Sequence, residues 1–482
     1  MNRNSSDAGD SRKGSVSVLL MVLLSSMILV FILLYDSASF RTIRNGVKWN
    51  GDHAGNAVLT YYLPELKERY DLYGIWKEPS VLEWRMNYFV ENNSPFWNGE
   101  KGSTLLGAKC QEIHVKPENY LCMDPTLINQ QIQAVMERGF LVDLIQKTEW
   151  ISQWKEILTW AGSGIQLQEE QNTVQVQRSG SSAEQKENRL LEEKKQELNR
   201  EVTRRETQGE AAMNDIVLEN GKKLTNPILI RALPSRQRTA SKNGTSWEML
   251  KQNADRLGEV IRTSFMTDLY ALQYFGNYTN QQDGWFLCQV EYILQGELSD
   301  EENLNQTKRE LFFLRTGLNL ISISRSVEVK QFIGAMAAAA APIPYPVAFG
   351  LLASAFAAAE AGEDVKILMN GGEVLALKNS GDWVSLSGEL TAEDQGTEKE
   401  IDTDLELSYE NHLHLLLVLK PQETKILRMM DLIQLDLQNK LGERFTLEDL
   451  CVGFEWELRC LLKNSRGKER TWDCEGISRY GS

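Results

Sequence analysis

The stretch that decides the fold is residues 14–35, GSVSVLLMVLLSSMILVFILLY, which contain no charged side chain. As a helix these 22 residues extend about 33 Å at a rise of ~1.5 Å each, against a bilayer hydrocarbon core of ~30 Å. A cleaved signal peptide has a shorter apolar region of roughly 7–15 residues and a small-residue cleavage site. The sequence therefore predicts an uncleaved transmembrane helix over residues 15–35, preceded by a cytoplasmic tail over 1–14.

The charges that flank this helix do not decide its orientation by count, because three basic residues precede it and three follow it. The tail is short, and its basic pair Arg12–Lys13 lies directly beside the apolar run. We therefore expect a single-pass protein of the cell membrane with a cytoplasmic N-terminus and its C-terminal domain outside. The lipid bilayer is its first predicted partner.

The rest of the chain is long enough for two or three domains of ~150 residues each. We predict an α+β fold, mainly helical, in which the transmembrane helix continues into a long helix. A mixed extracytoplasmic domain with short strands follows. Its first half covers 36–165, a polar charged insert or linker covers 166–245, and a second α+β half covers 246–482.

Helical spacing of apolar residues continues over 36–70, where Gly46, Gly51 and Gly55 weaken the pattern. These glycines either allow a partner helix to approach closely or leave this helix loose and frayed, and the pattern does not decide between the two. A second uncharged run at 332–359 is interrupted by prolines, which favours a small-residue helical hairpin buried in the core at 331–361 over a second membrane span.

The remaining patterns predict further elements along the chain. In order they are irregular turns over 71–130, an amphipathic helix over 131–160, a solvated helix or disordered insert over 184–206, a helix over 247–275, a strand at Trp285–Leu294, a helix starting after Ser299, strands at Glu373–Lys378, Asp382–Leu386 and Leu450–Cys460, and helices at Tyr409–Leu419 and Thr424–Leu441.

Charge and cysteine content limit the function classes. The net charge of −15 argues against nucleic acid as a partner, because phosphate binding needs a clustered basic face. The same negative charge argues against charge-driven adhesion to an anionic membrane surface. Six cysteines are present without a Cys-x-x-Cys pair; Cys110 with Cys122 and Cys460 with Cys474 are close in sequence, but six cysteines allow fifteen pairings.

No constellation of catalytic residues is recognisable in the sequence. There is no nucleophile elbow, Walker loop, zinc-protease motif or dinucleotide fingerprint. The His-x-His of His412 and His414 lacks the i, i+4 spacing of a helical metal site, and His53 and His114 stand apart. We predict no catalytic, cofactor-binding or metal-binding residue, no cofactor and no enzymatic activity.

A resemblance to a known family adds to these expectations. Lys13–Val18 leading into the apolar run, then Asp36–Ala38, Asn56–Leu59 and Glu68–Gly74, resemble the N-terminal anchor of TadE/TadG-like proteins of bacterial tight-adherence (Flp) pilus systems. More specifically, the chain is similar to an uncharacterised single-pass family of Clostridia-like Gram-positive bacteria. In the second half, the similar segments are Gln289–Gly296, Ala359–Val365, Gly372–Lys378, Trp383–Leu386 and Arg428–Gln434.

The resemblance covers about residues 12–75 and 247–460 and leaves out the charged insert. It implies an envelope protein associated with pilus assembly, whose partners are other pilus-assembly or envelope proteins bound through residues 14–70. Processed prepilins carry Glu at the fifth position after the cleaved glycine, and counting from Gly14 that position is Leu19. An uncleaved, TadG-like accessory protein is therefore expected rather than a major pilin.

Two other functions remain open. An envelope sensor or ligand-binding module would use an aromatic cleft formed by Trp76, Trp84, Trp97 and Trp285, although core packing is the simpler reading of these residues. A membrane-tethered hydrolase would need a convergent catalytic site that separate segments bring together.

Overall fold

The chain divides into two compact units. This computed structural model describes residues 10–92, 107–140, 152–166, 185–214, 216–238, 257–386, 405–464 and 466–480. Unit 1 comprises residues 1–67, 73–127 and 447–482, and unit 2 comprises residues 68–72 and 128–446. Helices predominate and several strands are present, so the predicted α+β, mainly helical fold class is confirmed.

The elements are numbered in chain order. The helices are α1 (Asp10–Val58), α2 (Pro64–Tyr70), α3 (Pro79–Asn92), α4 (Pro125–Phe140), α5 (152–166), α6 (Gln185–Asn214), α7 (Pro227–Ala232), α8 (Pro234–Gln237), α9 (Leu257–Tyr274), α10 (Gln289–Gln295), α11 (Asp300–Arg325), α12 (Val327–Ala339), α13 (Tyr345–Met369), α14 (Tyr409–Val418) and α15 (Gln422–Leu441). The strands are β1 (Ile75–Trp76), β2 (Gly107–Lys116), β3 (Val374–Leu375), β4 (Glu406–Leu407), β5 (Leu450–Cys451), β6 (Gly453–Lys463) and β7 (Glu469–Arg479).

Unit 1 is built around an antiparallel sheet in the order β2–β6–β7. The central strand β6 alternates, as a half-buried strand should, and its buried side chains include Phe454, Trp456, Leu458, Cys460 and Leu462. The second half of α1 and the inner face of α3 complete this hydrophobic core. The N-terminal helix is therefore part of the fold of unit 1 as well as a candidate membrane span.

Several expectations for unit 1 are settled by these elements. The continuation of the apolar helix beyond residue 36 is confirmed as far as Val58. The strand predicted at Leu450–Cys460 is confirmed in β5 and β6, whereas β7 was not predicted. Irregular structure over 71–130 is wrong for α3 and β2. The pattern of α3 was hidden because large apolar residues occupy its exposed face as well as its buried one.

Unit 2 contains the charged helix α6, which packs along α13. The segment 184–206 is predicted to be a solvated helix or a disordered insert; the helix is present over Gln185–Asn214 and mostly exposed, but it also has a buried face that includes Leu198 and Arg205. A Cβ atom on Gly362 of α13 would lie only 2.5 Å from the Cα atom of Gly209 in α6. Because glycine lets the two backbones approach, a few apolar residues suffice to hold a mostly polar helix.

The helical hairpin predicted at 331–361 is present as α12 and α13, which are separated at the prolines. Its second helix is longer than predicted and extends through Glu360 and Asp364 to Met369. Two described helices are long and apolar enough to cross a membrane, α1 and α13. The apolar window of α1 is 0% buried and that of α13 is 67% buried, so α13 fits a core helix.

Two strand predictions in unit 2 are wrong. Within Trp285–Leu294, residues from Gln289 onward form α10, whose residues through Leu294 are all buried; burial on every side removes the alternation that distinguishes a strand from a helix. Within Asp382–Leu386, the backbone N–H groups of Val384 and Ser385 donate to the Glu360 carboxylate instead of to a neighbouring strand.

The other helix predictions are largely confirmed. α11 begins directly after Ser299, and α14 and α15 cover the two helices predicted after residue 408. Of the strand predicted at Glu373–Lys378, only β3 is paired, with β4. The helices predicted over 131–160 and 247–275 are present where the chain is described, and 141–151 and 247–256 lie outside the described residues.

Candidate functional site

The first candidate site is the second half of α1, where the helix passes from exposed to buried. Every large apolar residue described between Val16 and Leu34 is exposed or half-buried, and Asp36 is the first buried side chain. From there buried residues recur every three or four positions, as one helix face requires. They are Asp36, Ser39, Phe40, Ile43, Val47, Asn50, Ala54 and Val58.

The N-terminal end of this buried half is held by the turn between β6 and β7. Asp36 accepts hydrogen bonds from Asn464 Nδ2 and from Lys468 Nζ, both at 3.2 Å. The Arg466 guanidinium lies 3.6 Å from the Asp36 carboxylate and 5.9 Å from the ring centroid of Tyr35. This basic turn therefore lies at the end of the apolar run, where lipid headgroups meet water in a membrane-inserted protein.

The middle of the buried half is held by Trp456 of β6. Cβ atoms built on Gly51 and Gly55 would lie 2.5 Å from its Cη2 atom and 3.2 Å from its Nε1 atom, respectively. Gly476 of β7 approaches the same indole, with Cη2 only 2.9 Å from a built Cβ atom. We call Gly51, Gly55 and Gly476 the glycine cradle, because all three approach the fully buried indole; a Cβ atom on Gly55 would meet the Ser478 side chain first.

The far end of the helix is also fixed. The Tyr480 hydroxyl donates to the carbonyl oxygen of Leu59, just beyond α1. Asn50 Nδ2 donates to the carbonyl oxygen of Val90 in α3 at 2.9 Å. We call the contacts of residues 36–59 with β6, β7 and α3 the anchor joint. It extends over about 35 Å of chain at ~1.5 Å per residue.

The anchor joint answers the open question for two of the three glycines noted in α1. Gly51 faces Trp456, and Gly55 faces Ser478 and Trp456, within the same chain, so these two close approaches are made without a partner helix. The close approach was correctly expected, and its identity was missed because Trp456 is about 400 residues away in sequence. The indole and the three glycines carry no sequence pattern that links them.

The second candidate site is a buried ionic network in unit 2. Lys378 Nζ contacts Asp364 Oδ1 at 2.5 Å and also pairs with Glu360. Arg315 Nε donates to Asp364 Oδ2 at 2.9 Å, and Asn319 Nδ2 donates to the same oxygen at 3.0 Å. The charged side chains are 0–3% exposed. The network therefore joins α11, α13 and the segment after β3 without contact with solvent.

The protonation of this network follows from its charges. Burial would raise the pKa of Asp364, but the charges of Arg315 and Lys378 outweigh it and hold that pKa below its usual value. Burial and the nearby Arg315 charge lower the pKa of His412 to about 3, so this imidazole is neutral. Arg315 Nη1 and His412 Nε2 have no hydrogen-bond partner among the described residues. The arrangement can fix helix positions, but its groups are not placed to reach an external substrate.

The other three histidines lie in surroundings different from that of His412. His414 packs against Trp154 and Phe265, with ring centroids 4.7 and 5.5 Å away, and burial lowers its pKa to about 3. His53 stacks edge-on with Trp49 at 4.0 Å, and His114 Nδ1 lies 3.8 Å from Glu83. No group of three or more potential metal ligands occurs in the part of the chain that the structure describes.

The tryptophans proposed for an aromatic cleft are placed as follows. Trp84 of α3 is 69% exposed and stacks on Tyr88, and Trp76 of β1 is 39% exposed, both in unit 1. Trp285 belongs to unit 2, where its backbone N–H donates to Asp436 at 2.8 Å. Trp97 lies outside the described residues. The exposed aromatic surface that the structure supports is therefore on α3.

The chain is a mainly helical α+β protein with an N-terminal candidate membrane span. Its apolar helix continues into a sheet-based unit, and the other unit is helical and contains a buried ionic network. Residues 191–461 match DUF5702, a family of unknown function. This match covers more than half of the chain, and the chain belongs to that family. No curated protein and no solved structure matches this chain. The matched segment includes most of α6, which lay outside the resemblance to TadE/TadG-like proteins.

Proposed function

We propose that the chain is a non-enzymatic, membrane-anchored envelope protein that acts as an uncleaved accessory component in the assembly or anchoring of a tight-adherence pilus. In this proposal α1 crosses the cell membrane once, its N-terminus is cytoplasmic, and both units lie outside. Its partners are other pilus-assembly or envelope proteins.

The observation that carries the proposal is the continuity of α1. One helix supplies the exposed apolar segment and then the anchor joint, with no linker between them. A protein that needed only a tether could use a flexible connection, whose direction is not fixed. A continuous helix instead fixes the position of unit 1 relative to the membrane, which suits a component that must present a surface to a membrane-embedded assembly.

Two further features agree with an accessory role rather than with a polymerising subunit. The position that carries Glu in processed prepilins is Leu19, which is 61% exposed within the apolar segment. The strongly acidic composition of the whole chain favours solubility of the units outside the membrane. Both features leave α1 as a permanent anchor.

The test separates the apolar segment from the anchor joint. In one variant, residues 16–35 are exchanged for an unrelated transmembrane sequence while residues 36–58 are kept, so that the core of unit 1 stays intact. In a second variant, a short Gly/Ser linker is inserted between Tyr35 and Asp36. Recovery of pilus platform components by co-purification from membranes is measured for both.

We expect the exchange to reduce recovery if partners bind the membrane segment, and the linker to reduce it if they depend on the fixed position of unit 1. K116M, a change at an exposed position of β2 outside residues 14–70, serves as the control and should leave recovery unchanged. Wild-type recovery with both the exchange and the linker would refute the proposal.

A second candidate function, an envelope sensor or ligand-binding module, is favoured by the outer face of α3. Val81, Trp84 and Tyr88 are 37, 69 and 53% exposed and fall at helical spacing, so they form an apolar stripe. Thermal shift of the full chain with candidate envelope ligands distinguishes this function, because W84A should abolish a ligand-induced shift. A shift that W84A leaves unchanged would exclude this stripe as the binding face.

A further inference from the structure

We propose that Cys110 and Cys460 are an oxidation site in unit 1, at which a disulfide-containing oxidant such as oxidised glutathione or a thiol oxidoreductase forms a disulfide bond. In the cell this inference rests on the proposed function, because a unit outside the membrane meets oxidants from which cytosolic thiols are protected. The pairing itself rests on the geometry of the sheet and is independent of location.

The geometry is set by the β2–β6 ladder. Cys110 and Cys460 are direct partners across these antiparallel strands. Residues in such positions have Cα atoms about 4.5–5.5 Å apart, within the range of roughly 4.4–6.8 Å that a disulfide requires. The bond can therefore form without rearrangement of either strand.

The two cysteines differ in the way that stepwise exchange requires. Cys110 is half-buried, whereas Cys460 is fully buried. The neighbouring Cys460 side chain lowers the pKa of the Cys110 thiol below its ordinary value. The neighbouring Cys110 side chain and burial raise the pKa of Cys460. Cys110 is therefore the thiolate that an external disulfide meets first, and Cys460 is the resolving thiol.

The reaction balances as two successive exchanges. The Cys110 thiolate attacks one sulfur of the oxidant, which forms a mixed disulfide and releases the first thiolate of the oxidant. Cys460 loses its proton and attacks the Cys110 sulfur, which forms the Cys110–Cys460 bond and releases the second thiolate. The two released thiolates take up the two protons that the cysteines lost, so the protein is oxidised and the oxidant is reduced by two electrons.

The sheet register selects this pair over its neighbour Cys474. Cys474 is opposite Leu458, so it is diagonal to Cys460, whose direct partner on β7 is Trp472. Diagonal positions are about 7–8 Å apart, which is too far for a disulfide without backbone movement. Neither short-range pair noted in the sequence, Cys110 with Cys122 or Cys460 with Cys474, is thus the favoured one.

The bond would connect segments that are distant in sequence. It would tie β2 to the central strand β6, which also carries Trp456 of the glycine cradle. Most of the chain between these strands belongs to unit 2. Oxidation would therefore hold β2 and β6 together by a covalent bond as well as by the hydrogen bonds of the sheet.

The experiment uses the full chain in detergent, incubated with oxidised glutathione and then alkylated under denaturing conditions. Digestion with trypsin and Glu-C places Cys110, Cys122, Cys460 and Cys474 on separate peptides, and mass spectrometry identifies the linked pair. We expect a peptide that links Cys110 to Cys460, lost in C110S and in C460S and retained in C474S. Linkage of Cys460 to Cys474 instead, or no linkage that contains both Cys110 and Cys460, would overturn the proposal.

A second measurement separates this inference from the proposed function. The thiols of the protein are alkylated in intact cells before lysis, and the linked peptide is quantified. We expect the Cys110–Cys460 bond in cells as well. If the bond forms with oxidised glutathione in detergent but the two cysteines are reduced in cells, the placement of unit 1 outside the membrane fails, whereas the oxidation site stands.

Discussion

Replacing Gly51 by valine tests the anchor joint at its most crowded point. A Cβ atom at this position would lie 2.5 Å from Cη2 and 2.8 Å from Cζ3 of Trp456, and 2.9 Å from Cδ1 of Leu458. These distances are far inside van der Waals contact, so the helix, the indole or the strand must move. The indole has little freedom, because it is fully buried and Gly476 approaches it from β7.

The expected magnitude follows from overpacking. Extra methyl groups in a packed core cost about 1–3 kcal/mol, and the higher helix propensity of valine over glycine offsets only ~0.5 kcal/mol of this. We expect G51V to destabilise unit 1 by about 2 kcal/mol. The matched control is N56V, which adds the same side chain at an exposed position of α1, and since valine and asparagine have similar helix propensities its effect should be close to zero.

Amide hydrogen exchange of β6 is the suitable assay, because it reports on unit 1 alone in the full chain. A loss of about 2 kcal/mol corresponds to roughly 30-fold faster exchange of amides that open with the sheet. G51A, which adds only the Cβ atom, should lie between wild type and G51V. If G51V exchanges within about threefold of N56V in β6, the glycine cradle does not fix the anchor helix and the reasoning is refuted.

Two further predictions concern unit 2. K378M leaves the buried carboxylates of Glu360 and Asp364 without their shared cation, so we expect the free energy of opening measured by amide exchange of α13 to fall by about 3–5 kcal/mol. The control K116M removes an exposed ion pair and should change the stability of unit 1 by less than about 1 kcal/mol. Equally small effects of the two variants would contradict a stabilising role of the ionic network. Burial lowers the pKa values of His412 and His414 to about 3, so these two side chains bind fewer protons in the folded than in the unfolded chain between pH 6.5 and 3. The stability that these two groups contribute is therefore lost as the pH decreases from about 6.5, and the difference in unfolding free energy between wild type and H414Q in urea titrations should change by up to ~1.4 kcal/mol per pH unit; a difference that does not depend on pH would exclude a buried neutral His414.

The features that the sequence predicted correctly are those with a local physical cause. The apolar run of residues 14–35 is recognisable because a membrane span needs only length and hydrophobicity. The break between α12 and α13 follows from prolines that cannot continue a helix. The start of α11 agrees with the acidic residues of its first turn, Asp300–Glu302, whereas the Ser299 side chain makes no capping hydrogen bond. Each of these signals is contained in fewer than about 25 consecutive residues.

The features that the sequence could not predict depend on residues far apart along the chain. In the sequence Gly51 only weakens a helix, and its role becomes visible when the fold places Trp456 against it. The six cysteines allow fifteen pairing schemes, and only the alignment of β2 with β6 brings Cys110 opposite Cys460. Residues 382–386 have a strand-like composition, but the Glu360 carboxylate accepts the backbone N–H groups of Val384 and Ser385 that a neighbouring strand would otherwise bind. Such interactions override local propensity and leave no periodic trace in the sequence.

The buried charges of unit 2 are best understood through α13, the helix they hold. Its stretch from Ala348 to Gly362 contains seven alanines and two glycines, which offer few protruding side chains to define how far the helix slides along α6 and α11. Burying an ion pair contributes little net stability compared with apolar packing, but it is strongly directional. Asp364 must meet Arg315 and Lys378, and Glu360 must meet Lys378 and two backbone N–H groups, and these conditions hold at one position of the helix. The same carboxylates would be costly in lipid, so they also keep this apolar helix in the protein core and leave α1 as the candidate membrane span.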